Sequence, residues 1–198
     1  MTNAEIKELL LLTVTQPRLA AQRVLALNLP KEVLWPALVG FTALNVVIYH
    51  GGLLLMPLPE EQMAQMPVFL TSPMLFATVM LGGLVLTVFV LTWMGLMLGG
   101  QGAVEEMLAA IVWLQVLRVA LQLVLFVLTL ASPALAYLVM VAASVYGLYI
   151  LAAFIAEVHR FDNLMKALGV MVLTVMSVAF GLSFFFAALG LTAATGGV

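Results

Sequence analysis

The stretch MLFATVMLGGLVLTVFVLTWMGLML, residues 74–98, contains no charged residue. As a helix rising 1.5 Å per residue it covers about 37 Å, more than the roughly 30 Å of a bilayer's hydrocarbon core. A helix at a soluble surface would carry a polar stripe, because only one of its faces can be buried. This stretch is apolar on every side, and it reads as a membrane span.

The same texture recurs on both sides of it. A first span is expected from about 33 to 56, entered past the cationic Lys31 and the interfacial Trp35 and closed by Pro57, Pro59, Glu60 and Glu61. Downstream, Gly99-Gly100-Gln101-Gly102 is a turn into a third span, about 106–131, which begins at Glu105 and Glu106. Carboxylates suit that position because a helix N-terminus carries partial positive charge. Ser132-Pro133 leaves only a short hairpin before a fourth span, about 134–156. The polar segment from Glu157 to Lys166 then leads into a fifth, about 167–191, followed by a small, uncharged tail from Thr192. Residues 31–198 are therefore expected to form an all-α, polytopic bundle of five transmembrane helices.

Residues 1–30 have a different character, moderately apolar but broken by charge and by Pro17. They read as two short interfacial amphipathic helices. Thr2 with Glu5 fits a capping box, and Pro17 suits the first turn of the second helix, where a missing N–H costs nothing. Arg18, Gln22 and Leu25 then lie on one side and Ala20, Val24 and Leu27 on another. Arg18 and Arg23 are expected to contact anionic headgroups, and so is Arg160 with its neighbour His159 before the last span.

Composition agrees with the bilayer as solvent. The 198 residues are 65% hydrophobic and 8% charged, against about 45–50% and 25% in ordinary soluble domains. A net charge of −2 with seven Lys and Arg excludes a nucleic-acid partner, which needs a basic stripe. Cysteine is absent, so disulfides, thiolate metal sites and cysteine nucleophiles are excluded. The run Leu9 to Leu12 is too short, and Glu5 and Glu8 too acidic, for a cleavable signal peptide. With the N-terminus in the cytoplasm, Lys7, Arg18, Arg23, Lys31, Arg160 and Lys166 all fall on that side and no Lys or Arg falls on the other. The positive-inside rule thus sets the N-terminus in and the C-terminus out.

The seventh cation, Arg118, lies near the middle of the third span. Insertion scales put the cost of an arginine there at roughly 2.5–3.5 kcal/mol, so something must compensate it. Gln115, Arg118 and Gln122 fall within about 60° of helical arc, opposite Trp113, and this stripe is expected to face the bundle interior. Asn45, Ser144, Tyr146 and Tyr149 lie at comparable depth, but none is a carboxylate. Glu105 is about 20 Å away along the helix. The stripe therefore reads either as interhelical glue or as a lipid or anion site built on Arg118, Gln115, Gln122 and Asn45.

Gly95 and Gly99 make a GxxxG pair, and Ala179, Ser183 and Ala187 make a small-residue ladder on the fifth span. Both permit close helix packing, within the chain or in a homo-oligomer. Met56, Met63, Met66 and His50 crowd the outer end of the first span, and thioethers favour Cu(I). Gap-filling by methionine explains that density, so no metal and no other cofactor is expected. HExxH, GxxxxGK[ST], GxSxG and paired intramembrane carboxylates are all missing, and no catalytic residue is assigned.

Three segments carry a resemblance to a known family: Gln16-Pro17-Arg18-Leu-Ala-Ala before the first span, Gly99-Gly100-Gln-Gly-Ala-Val-Glu105-Glu106-Met-Leu-Ala-Ala into the third, and Phe161-Asp162-Asn163 before the last. With the five-span layout, the chain resembles the bacterial branch of the Yip family, membrane proteins related to eukaryotic Ypt/Rab-interacting proteins. The resemblance implies a non-enzymatic protein of membrane organisation and trafficking, in a bacterial inner membrane, with lipids or other membrane proteins as partners. Only about 30 residues precede the first span, whereas the eukaryotic members carry a long cytoplasmic region there, which argues against small-GTPase binding. The competing reading is a channel, transporter or lipid scramblase with a polar path around Arg118.

Overall fold

A computed structural model describes residues 2–188 of the chain, all of its regular elements being helices. Two short helices, α1 (Asn3–Thr15) and α2 (Pro17–Ala26), precede the first long one, α3 (Lys31–Leu55). Two single-turn pieces, α4 (Glu60–Gln65) and α5 (Val68–Thr71), lead into α6 (Pro73–Met97), α7 (Val104–Ala131), α8 (Pro133–Val158) and α9 (Leu164–Ala188). Helices α3, α6, α7, α8 and α9 are the five long and apolar enough to cross a membrane. The end of the fifth span near Leu191 and the tail from Thr192 lie outside the described residues, as does the side chain of Ala187.

Local chemistry explains where the helices begin and stop. Thr2 and Glu5 form the capping box: the Thr2 amide donates to Glu5 Oε2 at 2.7 Å and the Glu5 amide to Thr2 Oγ1 at 3.3 Å. Ser72 and Ser132 cap α6 and α8, each followed by a proline in the first turn. Helix α6 ends in a Schellman motif, with the Gly100 amide on Gly95 O, the Gly99 amide on Leu96 O, and Gly99 at φ +82°. Helix α8 ends the same way, Phe161 on Ala156 O and Arg160 on Glu157 O, but the left-handed residue is Arg160, φ 56°.

The core is gathered at the end of the bundle where α3, α7 and α9 begin and α6 and α8 finish. Leu34, Leu38, Met107, Leu108, Phe154, Ile155, Val158 and Val170 are fully buried there. Helix α2 docks onto this end through Pro17, Ala20, Ala21 and Val24, so the small face anticipated around Ala20 and Val24 packs on protein, while Leu27 is exposed. At the opposite end Leu54, Leu55, Met74, Leu130 and Tyr137 are exposed to the surroundings. In a bilayer acyl chains cover such residues, and the helices there need no protein neighbour.

Candidate functional site

Arg118 and Gln115 line a groove of about 620 Å³ between α7 and α8. Its walls are apolar, among them Ile111, Leu114, Leu121, Val139 and Ile150, and Val14 of α1 closes one end beside Tyr146. Gln115 is 5% exposed and its Oε1 has no partner, while the half-buried Gln122 one turn further along also leaves its Oε1 unpaired. Arg118 is exposed at the groove mouth, so the stripe does not face the bundle interior as expected; only Gln115 is enclosed by protein. The reason is register. Trp113, opposite the stripe, takes the interior position, and its Nε1 donates to the fully buried Thr13 Oγ1 at 2.9 Å.

Ion pairing separates Arg118 from the other three arginines. The salt bridges among the described residues join Arg18 to Glu157, Arg23 to Glu8 and Arg160 to Glu106, and Arg118 takes part in none of them. At 1.5 Å per residue Arg118 stands about 21 Å from Val104 and about 20 Å from Ala131, midway along its span. Asn45, assigned to the same site, is buried on α3, where its Nδ2 donates to Phe41 O at 2.7 Å. Its Oδ1 is unpaired, and it does not line the groove.

Next to the groove along α8 lies a second, polar crevice of about 720 Å³, formed by the α1–α2 corner, Arg18, Gln22, Tyr149 and Glu157. Glu157 accepts from Arg18 Nε at 2.6 Å and from Gln22 Nε2 at 2.9 Å, and Arg18 also donates to Phe161 O. Arg18, expected at headgroups, is thus held by a carboxylate of α8. Arg23 is paired with Glu8 at 2.7 Å, and Arg160 binds Glu106 through both terminal nitrogens, at 2.6 and 3.1 Å. That pairing raises the Arg160 pKa further above its ordinary value. Tyr146, whose ring lies 5.5 Å from that of Tyr149, donates to Val14 O at 2.7 Å and separates crevice from groove.

The GxxxG pair divides into two unlike roles. A Cβ on Gly95 would stand 1.9 Å from His159 Nε2, so Gly95 makes room for a side chain, whereas Gly99 supplies the left-handed turn. His159 is 1% exposed, with Nδ1 at 3.1 Å from Ile155 O and Nε2 at 3.3 Å from Thr92 O. It is an interior plug wrapped by the glycine turn, and the headgroup contact expected of it is corrected accordingly. Ala179 and Ser183 are exposed on α9, and the Ser183 hydroxyl donates to Ala179 O within its own helix. His50 packs against Tyr49 and Phe76, and Met56 and Met63 are exposed.

Sequence reading overlooked Thr13, Val14 and Glu157 as parts of this site. Glu157 carried one usable signal, being the only acid in the fourth-span helix. The Yip1 domain family model matches residues 11–185 of the chain. No curated protein and no solved structure matches it.

Proposed function

This chain belongs to the Yip1 family, and from that premise we propose that it is a non-enzymatic, membrane-organising protein that holds an anionic phospholipid in the groove between α7 and α8. The observation that carries this reading is a mid-span Arg118 with no carboxylate partner among the described residues, beside a buried Gln115 whose amide oxygen is unpaired. An intramembrane arginine is costly until acceptors surround it. A phosphodiester supplies oxygens that match the guanidinium fork, and the apolar groove walls accept the acyl chain attached to it. Ion-coupled transport is a poorer fit, because its usual carriers are mid-membrane Asp and Glu, and residues 107–156 contain neither.

The six remaining Lys and Arg favour placing the end that carries α1 and α2 in the cytoplasm, with a bacterial inner membrane as the site of action. Native mass spectrometry of protein extracted in mild detergent tests the lipid site. Wild type is expected to retain phosphatidylglycerol over phosphatidylcholine, Arg118→Ala to lose about tenfold in retention, and Arg118→Lys to fall between them because a point charge cannot make the paired contact. Equal retention by all three proteins dismisses the reading.

A further inference from the structure

The groove and the polar crevice lie end to end on α8. Glu157 is at the last turn of α8, Tyr149 about 13 Å in from Val158, Tyr146 about 18 Å in, and Arg118 at nearly the same depth on α7. The crevice therefore reaches from the bundle end to Tyr149, and the groove continues from Ile150 to Val139. Between them stands one partition, the α1–α2 corner, fastened by Tyr146 Oη on Val14 O and by Trp113 Nε1 on Thr13 Oγ1. Beyond Arg118, Val124, Val127, Leu138, Val141 and Val145 of α7 and α8 are all exposed.

Depth gives this arrangement its meaning. A phospholipid resting in its leaflet keeps its phosphate at the interface, roughly 15 Å from the bilayer midplane. A phosphate at Arg118 has left that level, so a headgroup station at mid-span is a point of passage. We infer that crevice and groove are two stations of one lipid path, along which the protein moves anionic phospholipid across the bilayer, and that the α1–α2 corner bars this path. The inference rests on the lipid site proposed above. At the crevice Arg18 Nε and the Gln22 amide are held by Glu157 and Arg18 Nη2 donates to Phe161 O, so a phosphate at the interface meets the remaining donors of the half-exposed Arg18 guanidinium, and at mid-span Arg118 takes it over. The bar is slight. Tyr146 and Val14 are both partly exposed, and a single neutral hydrogen bond fastens the pair.

The test is full-length protein in vesicles of phosphatidylcholine and phosphatidylglycerol, with a fluorescent phosphatidylglycerol whose outer-leaflet fraction is quenched by dithionite. Tyr146→Phe removes the fastening hydroxyl and is expected to speed transbilayer movement about fivefold over wild type, the population shift that follows loss of one such bond. Thr13→Val, which removes the acceptor of Trp113, is expected to act in the same direction. Tyr137→Phe, at an exposed residue of α8 that lines neither cavity, leaves the wild-type rate. Adding Arg118→Gln to Tyr146→Phe returns the rate to that of protein-free vesicles. The path is overturned if neither Tyr146→Phe nor Thr13→Val exceeds wild type, or if the double variant stays fast. Retention of phosphatidylglycerol in mass spectrometry without movement in vesicles overturns the path alone; loss of retention overturns the lipid site beneath it.

Discussion

Gly95 and Arg118 show how one residue's meaning depends on what stands opposite it. A glycine in an apolar helix reads as a place for close approach, and that much was legible. The neighbour turned out to be the His159 imidazole and not a second helix backbone, because α6 and α8 finish side by side and the Gly99–Gly102 turn folds over the ring. Gly95→Ala is expected to destabilise the protein by about 1–3 kcal/mol, the usual cost of overpacking. Combining it with His159→Ala should recover part of that loss, measured as the thermal midpoint in detergent. Additive losses would mean that Gly95 and His159 do not meet. For Arg118, charge and depth were readable from the letters, as was the lack of a carboxylate at its level. Its position at a groove mouth was not, since helical periodicity fixes the angle between side chains and leaves open which helix they face.

Among the elements, the two Schellman endings invite a direct comparison. Gly99 takes the left-handed conformation without steric cost, whereas Arg160 adopts it against a penalty of roughly 1–2 kcal/mol for residues with a Cβ. Its paired contact with Glu106, which also accepts from the Ala103 amide, holds the turn between α8 and α9 to the start of α7. Both substitutions at Arg160 lose that ion pair, and only glycine relieves the backbone. Arg160→Gly is therefore expected to be more stable than Arg160→Ala by about 1 kcal/mol in thermal or denaturant unfolding. The reverse order would show that the left-handed turn is not formed. The boundaries of the elements were largely visible beforehand, since prolines, serines and glycines mark them chemically. The docking of α2 was not. Its small residues Ala20, Ala21 and Val24 fit a membrane surface or a helix surface equally well, and the choice rests on Glu157, which lies over a hundred residues away in the chain.

At the scale of the whole molecule, packing is uneven along the membrane normal. Side chains are buried where α1 and α2 meet the bundle and are largely exposed toward the opposite end. Hydrogen–deuterium exchange in nanodiscs should accordingly find the amides of residues 107–113 and 150–158 protected longest, and those near 124–138 exchanging sooner. Uniform protection along α7 and α8 would contradict this gradient. The sequence by itself determined the class of fold, the five spans and the family, because an uncharged run longer than the hydrocarbon core has one stable conformation there, a helix that satisfies its own backbone. It also determined that Arg118 needs acceptors. Only the tertiary structure decided that Arg18 belongs to Glu157, that His159 fills the space above Gly95, and that the α1–α2 corner stands between a polar crevice and an apolar groove. Those pairings join residues far apart in the chain, and no local period or cap encodes which distant surface a given face will meet.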